Sequence, residues 1–174
     1  HFDWRGQTSG MQQLNGSFGY WPGATETNEW VTPYAGLALT LASQNGGNVP
    51  QSALERLSQY LIGSLRGAGD AKSSYELENH ARSLYTLALL GKPQEPYHAL
   101  MAEKLPHMSG TARSFLAAAM AVGSEGRPKV LSAAKEVLNS KAKYKPLENG
   151  GYWSPGNSSL AAELIAGLAI DPDS

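Results

Sequence analysis

Taken for its apolar positions alone, the chain is a succession of helical segments. "YAGLALTLA" is apolar nearly all round, through Tyr34, Leu37, Ala38, Leu39, Leu41 and Ala42, which predicts a helix buried on every side. Thr32 stands at its cap position, with Pro33 as the first helical residue. "GGN" stops this segment, and Pro50 opens "QSALERLSQYLIGSLRG". There Ala53, Leu54, Leu57, Tyr60, Leu61 and Leu65 recur at helical spacing, while Glu55, Arg56, Ser58 and Gln59 are set toward water. "YELENHARSLYTLALLG" carries Leu77, Ala81, Leu84 and Ala88 on one face and Gly91 as its C-cap. "PYHALMAEKL" is short and amphipathic, and "SGTARSFLAAAMAVG" is small and apolar with Ser109 as its cap. "RPKVLSAAKEVLNSKAK" sets Val130, Leu131, Ala134, Val137 and Leu138 against its lysines, and "SSLAAELIAGLAI" closes the series.

All-round apolar helices therefore alternate with one-faced ones, inner then outer, seven in all. Helical hairpins recurring at about 35 to 45 residues predict a solenoid or a closed α/α toroid. Two glycine–aromatic stretches favour the toroid: "NGSFGYW" at 15–21 and "NGGYW" at 149–153, each ahead of an alanine- and leucine-rich segment. Glycine permits a sharp turn, and aromatic rings plug the space between neighbouring helix ends. Asn15, Gly16, Ser17, Phe18, Trp21, Trp30, Gly150, Tyr152 and Trp153 are thus structural loop residues in this reading. Scarce β-branched residues and the lack of long alternation argue against a sheet. The expected class is all-α, an α/α-toroid of the terpenoid cyclase and prenyltransferase kind, incomplete as a ring.

Composition narrows what such a protein does. With 174 residues, 41% of them hydrophobic and 17% charged, the chain can build one cored domain spanning 1–174. Residues 1–10 are expected to be a linker or tag scar and 170–174 a terminal tail; the start at His1 suggests a piece excised from something longer. A net charge of -1 without a lysine or arginine run excludes a phosphate-neutralising stripe, so no nucleic-acid partner is expected. No apolar stretch approaches the roughly 18 to 20 residues of a membrane span. The absence of cysteine removes disulfides, thiolate zinc sites and a cysteine nucleophile. His98 and His107 are too scattered for a metal site, and neither metal nor cofactor is expected.

Enzymes on a helical toroid are the competing class. Prenyl chemistry needs clustered aspartates, whereas Asp3, Asp70, Asp171 and Asp173 are dispersed. A glycosidase needs two carboxylates across the sugar. Glu26, Glu29, Glu76, Glu78, Glu148 and Glu163 are the candidates, with Glu26 and Glu29 in the loop entering the first inner helix and Glu148 in the second such loop; the competing reading is loop solvation or helix N-terminal charge. A polysaccharide lyase would use the Asn, His, Tyr and Arg set of "ENHARSLY". Asn79 and Arg82 can share a helix face with Tyr85 nearby, while His80 lies to one side, where a lone helical histidine is more often packing than base. Trp21, Trp30 and Trp153 would then stack on sugar rings instead of plugging a core.

"QQLNGSFGYWPGATETNEWVTPYAGLALTLA" resembles the stretch that follows the thioester in alpha-2-macroglobulins and complement components, and its "GYWPG" and "VTPYA" look closer to bacterial macroglobulins than to animal ones. The match rests on Asn15, Gly16, Ser17 and Phe18, then Trp30, Val31 and Thr32; the later helices and "GGYWSPGNSSLAAELIAGLA" follow in the family's order. The resemblance implies a non-catalytic scaffold part of a thioester domain within an exported proteinase-trapping protein. Its partners would be the other domains of that parent and, through the parent, target proteinases. Two features depart from the family. Gly-Cys-Gly-Glu-Gln is absent from a chain without cysteine, and His80 lies inside its helix, not ahead of it, so the complement histidine's role does not carry over.

Overall fold

The computed structural model describes residues 11–20, 25–29, 31–147 and 159–173. Among them are seven α-helices: α1 Val31–Gln44, α2 Gln51–Ser64, α3 Ser74–Leu89, α4 Glu95–Ala102, α5 Gly110–Gly123, α6 Pro128–Leu138 and α7 Leu160–Ile170. Short 3-10 turns cover Leu65–Asp70 and Leu105–His107. No strand occurs among the described residues; one isolated antiparallel bridge joins Gln12 to Phe18. The all-α expectation holds. The chain divides into two compact units, His1–Ser64 and Leu65–Ser174.

In the first unit α1 packs on α2. The α2 stripe is as expected, with Ala53, Leu54, Leu57 and Leu61 buried and Glu55, Arg56 and Gln59 exposed. Ser58 departs from it, buried with its hydroxyl donating to the Glu55 carbonyl. Burial of α1 on every side is corrected: its buried residues are Thr32, Pro33, Gly36 and Thr40, and Tyr34 is 53% exposed. Among the described residues, α2 covers one face of it. That face is lined with small residues because α2 comes close, a Cβ on Gly36 falling 2.8 Å from Leu57 Cδ1. The expected cap is corrected too. The helix begins at Val31, whose N–H donates to Asn28 Oδ1 at 2.9 Å, so Asn28 does the capping and Thr32 lies inside the first turn.

The second unit is organised around α5. From Thr111 to Gly123 nearly every side of α5 is buried, and it packs on α3, α4, α6 and α7. Its N-cap is Ser109, as its position ahead of the apolar run implies: Oγ accepts from the Ala112 N–H at 3.1 Å. Ser73 caps α3 in the same way, accepting from the Glu76 N–H. α3 ends in a left-handed Gly91, with Lys92 N–H bonded to the Leu87 carbonyl and Gly91 N–H to that of Ala88. α6 stops at Leu138, five residues before the end of the apolar-polar pattern at Lys143, and Asn139 Nδ2 turns back there onto the Lys135 carbonyl. α7 buries only Ala162, Ala166 and Ile170, one residue per turn; Leu160, Leu164 and Leu168 on another face are 71%, 58% and 55% exposed.

Candidate functional site

The glycine–aromatic loop of the first unit is tied together by short polar contacts. Asn15 Oδ1 accepts from both the Ser17 amide at 3.0 Å and the Ser17 hydroxyl at 2.7 Å, an Asx turn that fixes the bend. Gly16 sits at φ 90 against the α2 backbone, a conformation open to glycine. Phe18 is 2% exposed, and its amide donates to Thr32 Oγ1 at 3.1 Å; the Thr32 hydroxyl in turn reaches the Asn28 carbonyl at 2.8 Å. Gln12 Nε2 donates to the Ala53 carbonyl at 2.8 Å, so the loop is held by α1 and α2 together. A plug role fits Phe18. It does not fit Tyr20, which is 60% exposed. Trp21, Trp30, Gly150, Tyr152 and Trp153 lie outside the described residues.

The lyase set falls on α3, and three of its four members are buried: Asn79, Arg82 and Tyr85. Arg82 Nη2 pairs with Glu78 Oε1 at 2.8 Å, and Nη1 donates to Asn79 Oδ1 at 3.1 Å. The other Glu78 oxygen accepts from Ser109 Oγ at 3.2 Å, which joins this cluster to the cap of α5. The Arg82 guanidinium lies 5.0 Å from the centre of the Phe115 ring, and Tyr85 stacks obliquely on that ring at 5.8 Å. Burial raises the Tyr85 phenol pKa. His80 is half-buried; burial lowers its pKa, with the Glu76 carboxylate acting in the opposite sense. Asn79 and Arg82 do share a face, as their spacing requires. What they form there is a buried ion-pair cluster between α3 and α5, with the guanidinium already bound to a carboxylate.

The glutamates are no better placed for paired acid–base work. Glu78 is bound as above, and Glu76 accepts the Lys72 amide at 2.9 Å as part of the α3 N-terminus. Glu26 and Glu29 are exposed on the loop of the first unit, and Glu148 lies outside the described residues. Glu163 is exposed on α7 and lines a cleft of about 420 Å³ with Gly110, Arg113, Ser114, Leu138, Asn139 and Ser140. Arg113 in that cleft donates four hydrogen bonds to three backbone carbonyls: twice to Leu105, at 3.1 and 2.8 Å, once to Ser140 and once to Ala142. Burial lowers its pKa. Four of its five N–H donors are therefore used to hold chain, which leaves little for a ligand. Sequence reasoning missed both Arg113 and the pairing of Glu78 with Arg82; the available signal was an arginine inside an otherwise small and apolar helix. Among the described residues no group of three His, Cys, Asp or Glu is placed to hold a metal ion. Nor is any helix there long and apolar enough to cross a membrane.

No family model matches the chain, and no curated protein matches it. Solved structures do. Escherichia coli alpha-2-macroglobulin activated by porcine elastase superposes over 95% of this chain with a TM-score of 0.72 and 20% identity. A Salmonella alpha-2-macroglobulin mutant does so over 92%, with a TM-score of 0.63 and 22% identity. The fold is that of a segment of bacterial alpha-2-macroglobulins. The fragment of the E. coli protein running from its MG7 domain to the C-terminus matches over 75% of this chain, with a TM-score of 0.63. The chain spans 15% of the elastase-activated alpha-2-macroglobulin, 12% of the Salmonella protein and 21% of the MG7 fragment.

Proposed function

We propose that this chain is the non-catalytic scaffold part of the thioester domain of a bacterial alpha-2-macroglobulin-like protein, whose parent inhibits endopeptidases by entrapment. The observation that carries the reading is the likeness to E. coli alpha-2-macroglobulin over 95% of the chain. It agrees with the order of motifs from Asn15–Phe18 through Trp30–Thr32 to the last helix. Two further observations support a scaffold. The polar groups that a lyase would need are bound to one another between α3 and α5. The stripe of Leu160, Leu164 and Leu168 on α7 suits a helix whose remaining neighbours come from elsewhere in a larger helical toroid. In this reading the parent is exported, its other domains are this chain's partners, and target proteinases are met through the parent.

The test is made on the parent protein, obtained from the gene that encodes this chain. A Gly-Cys-Gly-Glu-Gln stretch ahead of residue 15, methylamine incorporation abolished by Cys→Ala there, and proteinase entrapment are the expected results. Neither thioester nor entrapment, together with release of unsaturated uronides from an acidic polysaccharide that is lost in His80→Ala or Tyr85→Phe, would replace this reading with the lyase.

A further inference from the structure

Two side chains anchor α4 in the second unit: of its residues only His98 and Met101 are buried. Its start has no side-chain cap, since Gln94 Nε2 donates instead to the Lys92 carbonyl at 3.0 Å. Two polar links lie at the surface, an exposed ion pair between Glu95 and Arg127 and a bond from Lys104 Nζ to the Gly69 carbonyl at 2.8 Å. The segment is bounded by a hinge and a fixed point. Gly91 ahead of it stands at φ 73 with nothing within 4 Å of its Cβ position. Behind it, Arg113 donates twice to the Leu105 carbonyl and Ser74 Oγ to that of His107, so the chain is held again from residue 105.

His98 is 5% exposed, and its Nε2 has no hydrogen-bond partner among the described residues. Its ring lies against the end of α5, 3.7 Å from where a Cβ on Gly123 would stand, with Pro93 closing the same space. The surroundings supply little counter-charge. α4 packs on α3, α5 and the turn Leu65–Asp70. The charges of α3 (Glu76, Glu78, His80 and Arg82) all precede residue 83, and Arg113 is the single charge of α5, at the end away from Gly123. On the turn, Arg66 and Asp70 are exposed. The carboxylate that acts on His98 is Glu95, and it is already bound to Arg127. Arg127 also donates to the carbonyls of Gly123 and Ser124, so a fixed cation occupies the negative end of α5.

We propose that residues 92–104 form an acid-released flap: when His98 takes up a proton, α4 swings off α3 and α5 between Gly91 and Leu105 while the other helices of the unit stay folded. A protonated imidazole has two N–H donors, and the one at Nε2 would be buried with nothing to accept it. In water both donors are satisfied. With His98 gone from its site, Met101 is the remaining buried anchor, too little to keep a short uncapped helix docked. Neutral His98 favours the closed form, and that advantage is lost as pH falls from the ordinary histidine range toward about 4. The inference concerns the second unit alone and stands or falls separately from the macroglobulin reading.

The test exploits a chain without cysteine. Met101→Cys on α4 and Leu116→Cys on α5, both at wholly buried positions, are each labelled with 4,4′-dithiodipyridine. Rates are divided by those of the same variant unfolded in urea at the same pH. Met101→Cys should react faster than Leu116→Cys, with a rate that low urea leaves unchanged, while urea accelerates labelling at Leu116→Cys. From pH 7 to pH 5 the corrected rate at Met101→Cys should rise roughly twentyfold, and by less than about twofold once His98→Gln is added. Hydrogen exchange in the unaltered chain gives a second readout: the amides of Met101 and Ala102 should exchange at pH 5 through an opening insensitive to low urea, unlike that of Leu116. Equal labelling rates with the same urea dependence at both cysteines overturn the proposal, because α4 then leaves only with the whole unit. An acid-induced rise that survives His98→Gln, or α4 amides that share the urea dependence of α5, overturns it as well.

Discussion

A Cβ placed on Gly16 would stand 2.1 Å from the carbonyl oxygen of Arg56, so the first loop and α2 meet backbone against backbone. At φ 90, Gly16→Ala combines a disfavoured backbone conformation with a collision that no rotamer relieves, and roughly 3 kcal/mol of stability should be lost. Gly46 is the matched control, with φ 84 and nothing within 4 Å of its Cβ position. Gly46→Ala should cost only about 1 kcal/mol. Urea midpoints decide the matter: equal losses at the two positions would mean that the close approach carries no energy.

Arg82→Ala leaves the buried Glu78 carboxylate without its cation, and about 3 to 5 kcal/mol should be lost. Ser109→Ala removes both a helix cap and a bond to the same carboxylate, for roughly 1 to 2 kcal/mol. In the double variant the two losses should not add, since both residues bind Glu78. Strict additivity in a double-mutant cycle would show that the cluster is not a unit.

The His98 side chain is 5% exposed, its Nε2 has no partner, and Pro93 and Gly123 close around the same space. Burial pulls its pKa down to about 4, against which the Glu95 carboxylate, itself bound to Arg127, acts only in part. The unfolded chain therefore takes up a proton on this residue at higher pH than the folded one does. Its contribution is complete above the unfolded value near 6.5 and is lost as pH falls toward 4, a difference of roughly 3 kcal/mol. His80, also lowered by burial, acts in the same direction. Between pH 7 and 4 the urea midpoint of His98→Gln should fall less than that of the parent; parallel curves would rule out this origin.

Leu160, Leu164 and Leu168 touch little in this unit, so changing all three to Gln should alter its stability by less than about 1 kcal/mol. In the larger protein of the proposed function the same change should destabilise the helical domain by several times that amount. A large loss already in the isolated chain would show that the leucines pack within it.

What was legible in the sequence is what periodicity records. The α2 stripe and the buried run of α5 follow from apolar residues at helical spacing, and Ser109 stands where an unsatisfied helix start needs an oxygen. Thr32 was misplaced because Thr-Pro imitates a cap followed by a first helical residue, whereas the side-chain oxygen of Asn28, three residues ahead of the start, accepts from the first helical N–H, that of Val31. Hydrophobicity shows that the leucines of α7 want cover but not which element supplies it. An arginine inside a small, apolar helix signals that Arg113 is held but not by what, since its partners are carbonyl oxygens, which every residue possesses, up to 29 positions along the chain. For the lyase set, spacing put Asn79 and Arg82 together correctly; what they do together depends on Glu78 and on a serine 31 residues beyond it.

The non-helical segment 140–147 is a strap between the end of α6 and the start of α3, and it has a kinetic consequence. The Ser74 hydroxyl accepts from the Leu147 amide and donates to the His107 carbonyl, so one oxygen closes a loop of 73 residues. Closing so long a loop is entropically unfavourable until the intervening helices have shortened it, which places strap docking after the folding barrier. Ser74→Ala should then accelerate unfolding while leaving the refolding rate nearly unchanged. The last segment to arrive is thus the first to leave, and residence time in the native state is governed at the strap while the helical core forms at its own pace.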